Sequence, residues 1–277
     1  MMMTIPAGAA APDYSPCRYG TARALFRGPA RDLRAPYVAM LGGSPTFGKH
    51  VEMPFPALVE QALGRAVVNL GALNAGPDFY LADRGALDVA ARARVAVVQI
   101  TGAEALSNRW YTVHSRRNDR VLAVSPDLRA LFPEIDFAEI NFTRHLLSLL
   151  RATDPRRYRS VVAGLQQNWV VRMRQLLANL PPRRLLLWLA EVPVPDTALD
   201  LDARWTPLLV DAGMIAALGP AAIGLVQAVP SPAALGDAGT GLQFLPSTEA
   251  LQARAHPGHA VHVEVAARLA PVVSGLM

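Results

Sequence analysis

Ser44 is the residue best placed to do covalent chemistry. It closes Gly42-Gly43-Ser44, which follows the apolar residues 37–41 and precedes Pro45-Thr46-Phe47-Gly48-Lys49. A buried strand that runs into two glycines and a serine delivers a hydroxyl to its carboxyl end, where open α/β sheets place their ligands. The same stretch matches most of a phosphate-binding loop, Gly43-x-x-x-x-Gly48-Lys49 after a strand. Three features oppose that nucleotide-binding reading: His50 stands where a Ser or Thr would hold magnesium, Pro45 removes a backbone donor, and Pro54 and Pro56 fall where the motif's helix should be running. A second cluster lies within residues 104–124, where Glu104, Ser107, Asn108, Arg109, Trp110, Tyr111, His114, Arg116, Arg117, Asn118, Asp119 and Arg120 crowd together. Polar and aromatic side chains this dense suit a binding loop. Its guanidinium groups, Arg109 and Arg117 first among them, favour a carboxylate, sulfate or phosphate group on a substrate.

These residues need a frame. Residues 37–41, 66–71, 95–101, 184–190 and 223–229 are apolar runs of strand length separated by helical patterns. Such alternation requires crossover connections, and it predicts an α/β fold with a mostly parallel five-stranded sheet, order 2-1-3-4-5 counting those runs along the chain. Helices are predicted over residues 54–63, from Asp78 to about residue 93, and over 127–132, 142–150, 155–180 and 260–273, with most of 205–218 also helical. Residues 1–36 read as an N-terminal arm whose arginines, Arg18 to Arg34, are solvated, with a short helix near 21–26. Residues 37–277 read as one domain, carrying a mainly helical insertion at about 104–180.

Composition narrows the class. The chain has 277 residues, 27 basic and 22 acidic, for a formal charge of +5, and Lys49 is its only lysine. The arginines are scattered among Ala and Pro instead of forming a stripe, which points away from nucleic acid. Apolar runs are short and broken by Arg, Asp, Gly or Pro, so no membrane span is expected. Cys17 has no internal partner for a disulfide, and residues 1–12 lack the basic and apolar regions of a signal peptide, so a cytoplasmic protein is expected. His259 and His262 lack a third ligand at a recognisable spacing, and no metal or other cofactor is implied.

In block order and spacing the chain resembles the SGNH (GDSL-like) hydrolase superfamily, whose first block is Gly-Asp-Ser or Gly-Gly-Ser after the first strand, as in Gly42-Gly43-Ser44. Val67-Val68-Asn69-Leu70-Gly71 is similar to the strand before that family's second block, and His256-Pro257 followed by His262, Ala266 and Leu269 is similar to its last, where a histidine opens the final helix. It also resembles an uncharacterised bacterial family that shares Arg-Tyr-Gly, Gly-Gly-Ser and Ser-Asn-Arg-x-Tyr segments. The superfamily resemblance implies a three-layer α/β/α sandwich of flavodoxin type and a serine esterase or acyl transferase acting on a small or carbohydrate-linked ester. Ser44 would attack an acyl carbon and His256, or else His262, would take its proton, while backbone N–H groups near Ser44, Gly43 included, would hold the oxyanion. Three positions depart from the pattern. The second-block glycine falls on Asn74, the third-block Gly-x-Asn-Asp falls on Gly102-Ala103-Glu104-Ala105, and the acid three residues before the histidine falls on Ala253. Asn74 and Asn108 are the residues able to supply side-chain donors to the pocket in replacement. The alternative from another class is a catalytically lapsed domain that binds an anionic or glycan ligand through residues 108–120.

Overall fold

Short apolar runs rich in Val, Leu and Ala bury both faces when they pair on either side. Five such runs form one sheet in the computed structural model, which describes residues 14–198, 207–236 and 256–277. They are β1 (Val38–Leu41), β2 (Val67–Asn69), β3 (Val95–Gln99), β6 (Arg184–Leu189) and β7 (Gly224–Ala228), with β4 (Tyr111–His114) and β5 (Arg117–Val124) lying between β3 and β6 in the chain. The sheet runs β2-β1-β3-β6-β7, and every neighbouring pair is parallel. The strands β4 and β5 pair antiparallel with each other, apart from that sheet, through a bulged register.

Side-chain alternation divides the core. Val38, Met40, Val95, Val97, Leu185 and Leu187 share one side with Phe55 and Val59 of α2 (Phe55–Leu63) and with Val261, Val265 and Leu269 of the last described helix, α10 (His259–Ser274). Ala39, Leu41, Ala96, Val98, Leu186 and Trp188 share the other with α4 (Arg84–Ala91) and the long α7 (Pro155–Ala178). Trp188 and Trp169 are fully buried there, each worth about 2–3 kcal/mol of apolar transfer. The remaining helices are short: α1 (Ser44–Phe47), α3 (Pro77–Ala82), α5 (Pro126–Leu131), α6 (Thr143–Thr153), α8 (Ala212–Ala217) and α9 (Pro232–Gly236).

Four expectations need correction. The arm is not a solvated strip: Tyr19, Ala22, Ala24 and Phe26 are buried, no helix forms at residues 21–26, and the Arg27 guanidinium lies in the interior. The helix expected from Asp78 to about residue 93 is broken at Asp83, whose carboxylate accepts the Ala86 N–H at 3.2 Å as the cap of α4 and the N–H groups of Arg23 and Ala24 at 2.9 Å each. One buried carboxylate therefore starts a helix and ties down the arm, a use that outweighs continuing the helix. The segment 104–180 is not mainly helical at its start, because residues 111–124 form the β4–β5 hairpin. Nor is this stretch the open loop expected: alternate side chains of the hairpin such as Tyr111, Val113 and Asn118 point into the protein and are buried. Ala253, residues 1–13, most of the loop read at 230–246 and the start of the helix read at 205–218 lie outside the described residues.

Candidate active site

The turn after β1 is built by side chains that came with it in sequence. Helix α1 starts at Ser44, has Pro45 in its first turn where no N–H is needed, and stops at Gly48 with φ 75°. The Phe47 and Gly48 N–H groups bond to Gly43 O and Ser44 O at 3.1 and 2.9 Å. Donors that a phosphate-binding loop turns toward its ligand are thus used inside the turn itself. Gly43 N–H donates to Gln99 Oε1 at 3.1 Å, and the same oxygen accepts the Thr46 hydroxyl at 2.6 Å. Gly43 borders the site, but its N–H anchors the turn to β3 and does not act as the expected oxyanion donor. Asn69, the last residue of β2, donates to Thr46 O at 2.9 Å and accepts the Gly71 N–H at 2.9 Å. A Cβ on Gly71 would come within 2.3 Å of Phe47 N, so only glycine lets the two backbones approach this closely. On the far side Arg27 donates to Gly48 O, Val51 O and Glu52 O at 2.5–2.7 Å, and its burial lowers its pKa.

Ser44 is 7% exposed and opens on a cavity of about 520 Å³. Its Oγ accepts the Asn74 N–H at 3.0 Å and donates to Asn74 Oδ1 at 3.1 Å. Asn74 sits at φ 54°, a left-handed conformation that asparagine tolerates better than most residues other than glycine. That explains an asparagine where the superfamily pattern has glycine. The loop carrying it is held by Asn118 of β5, fully buried, whose N–H donates to Asn74 O at 3.1 Å and whose Oδ1 accepts the Gly76 N–H at 2.7 Å. Asn118 Nδ2 completes its set on His114 O at 2.9 Å.

His256 lines the same cavity as Ser44, and its ring meets that of His50 edge-on at 5.6 Å between centroids. His262 has a different place. It is 1% exposed, accepts the Phe55 N–H at the start of α2 through Nδ1 at 3.1 Å, and stacks on the Phe55 ring at 5.8 Å. Burial, helped by the charges of Arg27 and His259, pulls its pKa down to about 3. A ring used to cap a helix and kept neutral is a structural histidine, which leaves His256 as the described histidine that lines the cavity with Ser44.

The loop after β3 brings Glu104 to the cavity. Ala103 N–H donates to Leu208 O at 2.9 Å, Trp169 Nε1 donates to Thr101 O at 2.9 Å, and Ser107 N–H donates to Asp78 Oδ2 at 2.8 Å, so α7 and α3 fix this loop from outside. Burial raises the Glu104 pKa, with the Arg144 guanidinium pulling the other way. Three expected site residues lie elsewhere. Asn108 uses its side chain locally, donating to Leu106 O at 2.8 Å and accepting from Trp110 N at 2.8 Å and Tyr111 N at 3.2 Å, so it shapes a turn. Arg109 is 64% exposed, stacks on Trp110 and pairs with Asp127 at 2.9 Å, while Arg117 pairs with Asp119 at 3.5 Å. Neither borders the Ser44 cavity, and the arginine among its described lining residues is Arg144 of α6.

Over residues 1–277 the chain matches the family described as Domain of unknown function (DUF6473). It belongs to that family. No curated protein matches it. In this DUF6473 chain, Glu104, Asn118 and Asp119 border or hold the site although the sequence placed them only in the polar cluster, and Thr143 and Arg144 line it without having been singled out. Glu104 carried a signal, since it stands where the superfamily pattern has asparagine. Asn118 and Asp119 were visible only as members of a polar cluster, and nothing in the sequence around Thr143 and Arg144 sets them apart from an ordinary helix start.

Proposed function

We propose that the protein is a serine-dependent ester hydrolase or acyl transferase of SGNH type, acting on a small or carbohydrate-linked ester without a cofactor. One observation carries this reading: a serine hydroxyl at the carboxyl end of a central parallel strand accepts a backbone N–H at 3.0 Å and shares a cavity with a histidine. The strand order β2-β1-β3-β6-β7, with helices packed against both core clusters, supports the finer assignment to a three-layer, flavodoxin-like sandwich. In the reaction, Ser44 Oγ forms a bond to the acyl carbon while its proton passes to His256 and the carbonyl electrons move onto oxygen. Collapse of that adduct breaks the bond to the leaving alcohol, which takes the proton from His256, and water or an acceptor hydroxyl repeats the sequence on the acyl-serine. The Asn74 N–H and the N–H of Ser44, which as the first residue of a helix has no intrahelical acceptor, are the backbone donors for the oxyanion.

Among the described residues, Ile100, Phe142 and Pro207 give the cavity apolar walls, and Glu104, Asp119 and Arg144 also line it. Cytoplasmic residence is part of the proposal, and no helix among the described residues is long and apolar enough to cross a membrane. A second reading, a lapsed domain that only binds its ligand, draws on the Ser44 hydroxyl donating to Asn74 Oδ1 at 3.1 Å. Attack requires that proton to swing toward His256, a rotation about one side-chain bond. Incubation with a fluorophosphonate followed by peptide mass spectrometry separates the two. Labelling at Ser44, lost in Ser44→Ala and slowed at least a hundredfold in His256→Ala, is expected of the enzyme. An unlabelled protein under conditions that label a control esterase would leave the binder.

A further inference from the structure

Glu104 is the unexplained group of this site. Its side chain lines the cavity with Ser44 and Asn74, and the residue is 9% exposed. Oε2 is buried with no hydrogen-bond partner among the described residues. It lies so close over Gly102 that a Cβ there would come within 1.9 Å of it, so the glycine makes room for the carboxyl. A buried carboxylate oxygen without a partner is expensive, and proteins answer by neutralising the group or by giving it a task. The charged and titratable groups around it are Arg144 from α6, Asp119 from β5, His256, and Tyr111 from β4, whose hydroxyl donates to the Glu104 carbonyl at 2.9 Å. Arg144 and a hydrogen bond from the residue's own backbone favour ionisation, and burial outweighs both.

Resting on the esterase reading above, we propose that Glu104, as a neutral carboxylic acid, donates a hydrogen bond to the carbonyl oxygen of an acyl group seated at Ser44. Asn74 N–H meets the serine from the loop after β2 and Glu104 comes from the loop after β3, and these strands lie on either side of β1, whose end carries Ser44. A neutral acid is a stronger donor than an amide, and an apolar-walled site can keep one unionised near neutral pH. No proton is transferred to the substrate: the carboxyl O–H lengthens toward the oxygen as charge develops there and recovers when the adduct collapses.

The test compares Glu104→Gln, which retains a donor of the same shape, with Glu104→Ala, which retains none. The readouts are the rate of Ser44 labelling by a fluorophosphonate and the infrared carbonyl stretch of protonated carboxyls at about pH 6, where an ordinary glutamate is ionised. Expected are a Glu104→Gln rate within about tenfold of the parent, a Glu104→Ala rate about a hundredfold or more below it, and a protonated-carboxyl band present in the parent and absent from Glu104→Gln. Equal losses in both variants, or no loss in Glu104→Ala, would overturn the role of Glu104 while leaving the Ser44 nucleophile standing. Absence of the band from the parent protein would overturn it without any variant having to fold. If the parent is never labelled, the esterase reading fails first and this proposal fails with it.

Discussion

Acid should unfold this protein partly through one histidine. His262 is 1% exposed, its Nδ1 is occupied by the Phe55 N–H, and its pKa falls from the usual 6.5 to about 3 through burial, with Arg27 and His259 adding repulsion. Since the folded value is depressed, the unfolded chain binds a proton that the native state refuses. The stabilising term is complete above about pH 6.5 and is lost as pH falls toward 3. With those two values the loss is about 2 kcal/mol at pH 5 and approaches about 5 kcal/mol below pH 3. His262→Asn keeps an acceptor near the position of Nδ1 and cannot titrate. It should be less stable than the parent at about pH 8, by roughly 1–3 kcal/mol for lost stacking and volume. Its further loss on moving to about pH 5 should be about 2 kcal/mol smaller than the parent's. Urea unfolding at both pH values measures this as a double difference, in which the other titrating groups cancel. Equal acid losses in parent and variant would refute the argument, and would mean that the ring protonates in place.

Two further outcomes follow from how the turn and the Asn74 loop are held. Arg27→Ala removes the donors to the carbonyls of Gly48, Val51 and Glu52. It should cost on the order of 3 kcal/mol or more, with Arg27→Lys restoring little because an ammonium cannot span these acceptors; urea unfolding would show it, and a change under 1 kcal/mol would contradict it. Asn118→Ala leaves the Gly76 N–H and the His114 carbonyl without their partner. A stability loss of about 1–3 kcal/mol is expected, together with Ser44 labelling slowed about ten- to a hundredfold as Asn74 shifts; labelling at the parent rate would show that the hairpin does not position the site.

What the sequence made legible was local. The central strands are nearly continuous apolar runs, with Gln99 or Arg184 only at an end, so residues 95–99 or 184–189 could be placed without knowing their neighbours. The β4–β5 hairpin was hidden because its inward positions include Asn118 beside Tyr111 and Val113, and a buried asparagine reads as loop until its partners on Gly76 and His114 are known. The break at Asp83 was hidden for a similar reason: an aspartate within a helical pattern gives no sign that two N–H groups 59 and 60 residues away will bond to it.

The arginines show the limit most clearly. Arg109 and Arg117 were singled out because they follow the third strand closely, yet proximity along the chain put them on the outside of the hairpin, paired with Asp127 and Asp119. Arg144 reaches the cavity from α6, forty residues beyond Glu104 in sequence. Departures from the superfamily pattern were the better guide. Of the three, Ala253 lies outside the described residues, and the other two, Asn74 and Glu104, both line the cavity around Ser44. Asn74 preserves what its position requires, a left-handed backbone and an N–H on the serine oxygen. Glu104 changes it, placing a buried carboxyl where the pattern has an amide. Two departures from the resemblance that meet at one cavity make that cavity the place where a test for chemistry should begin.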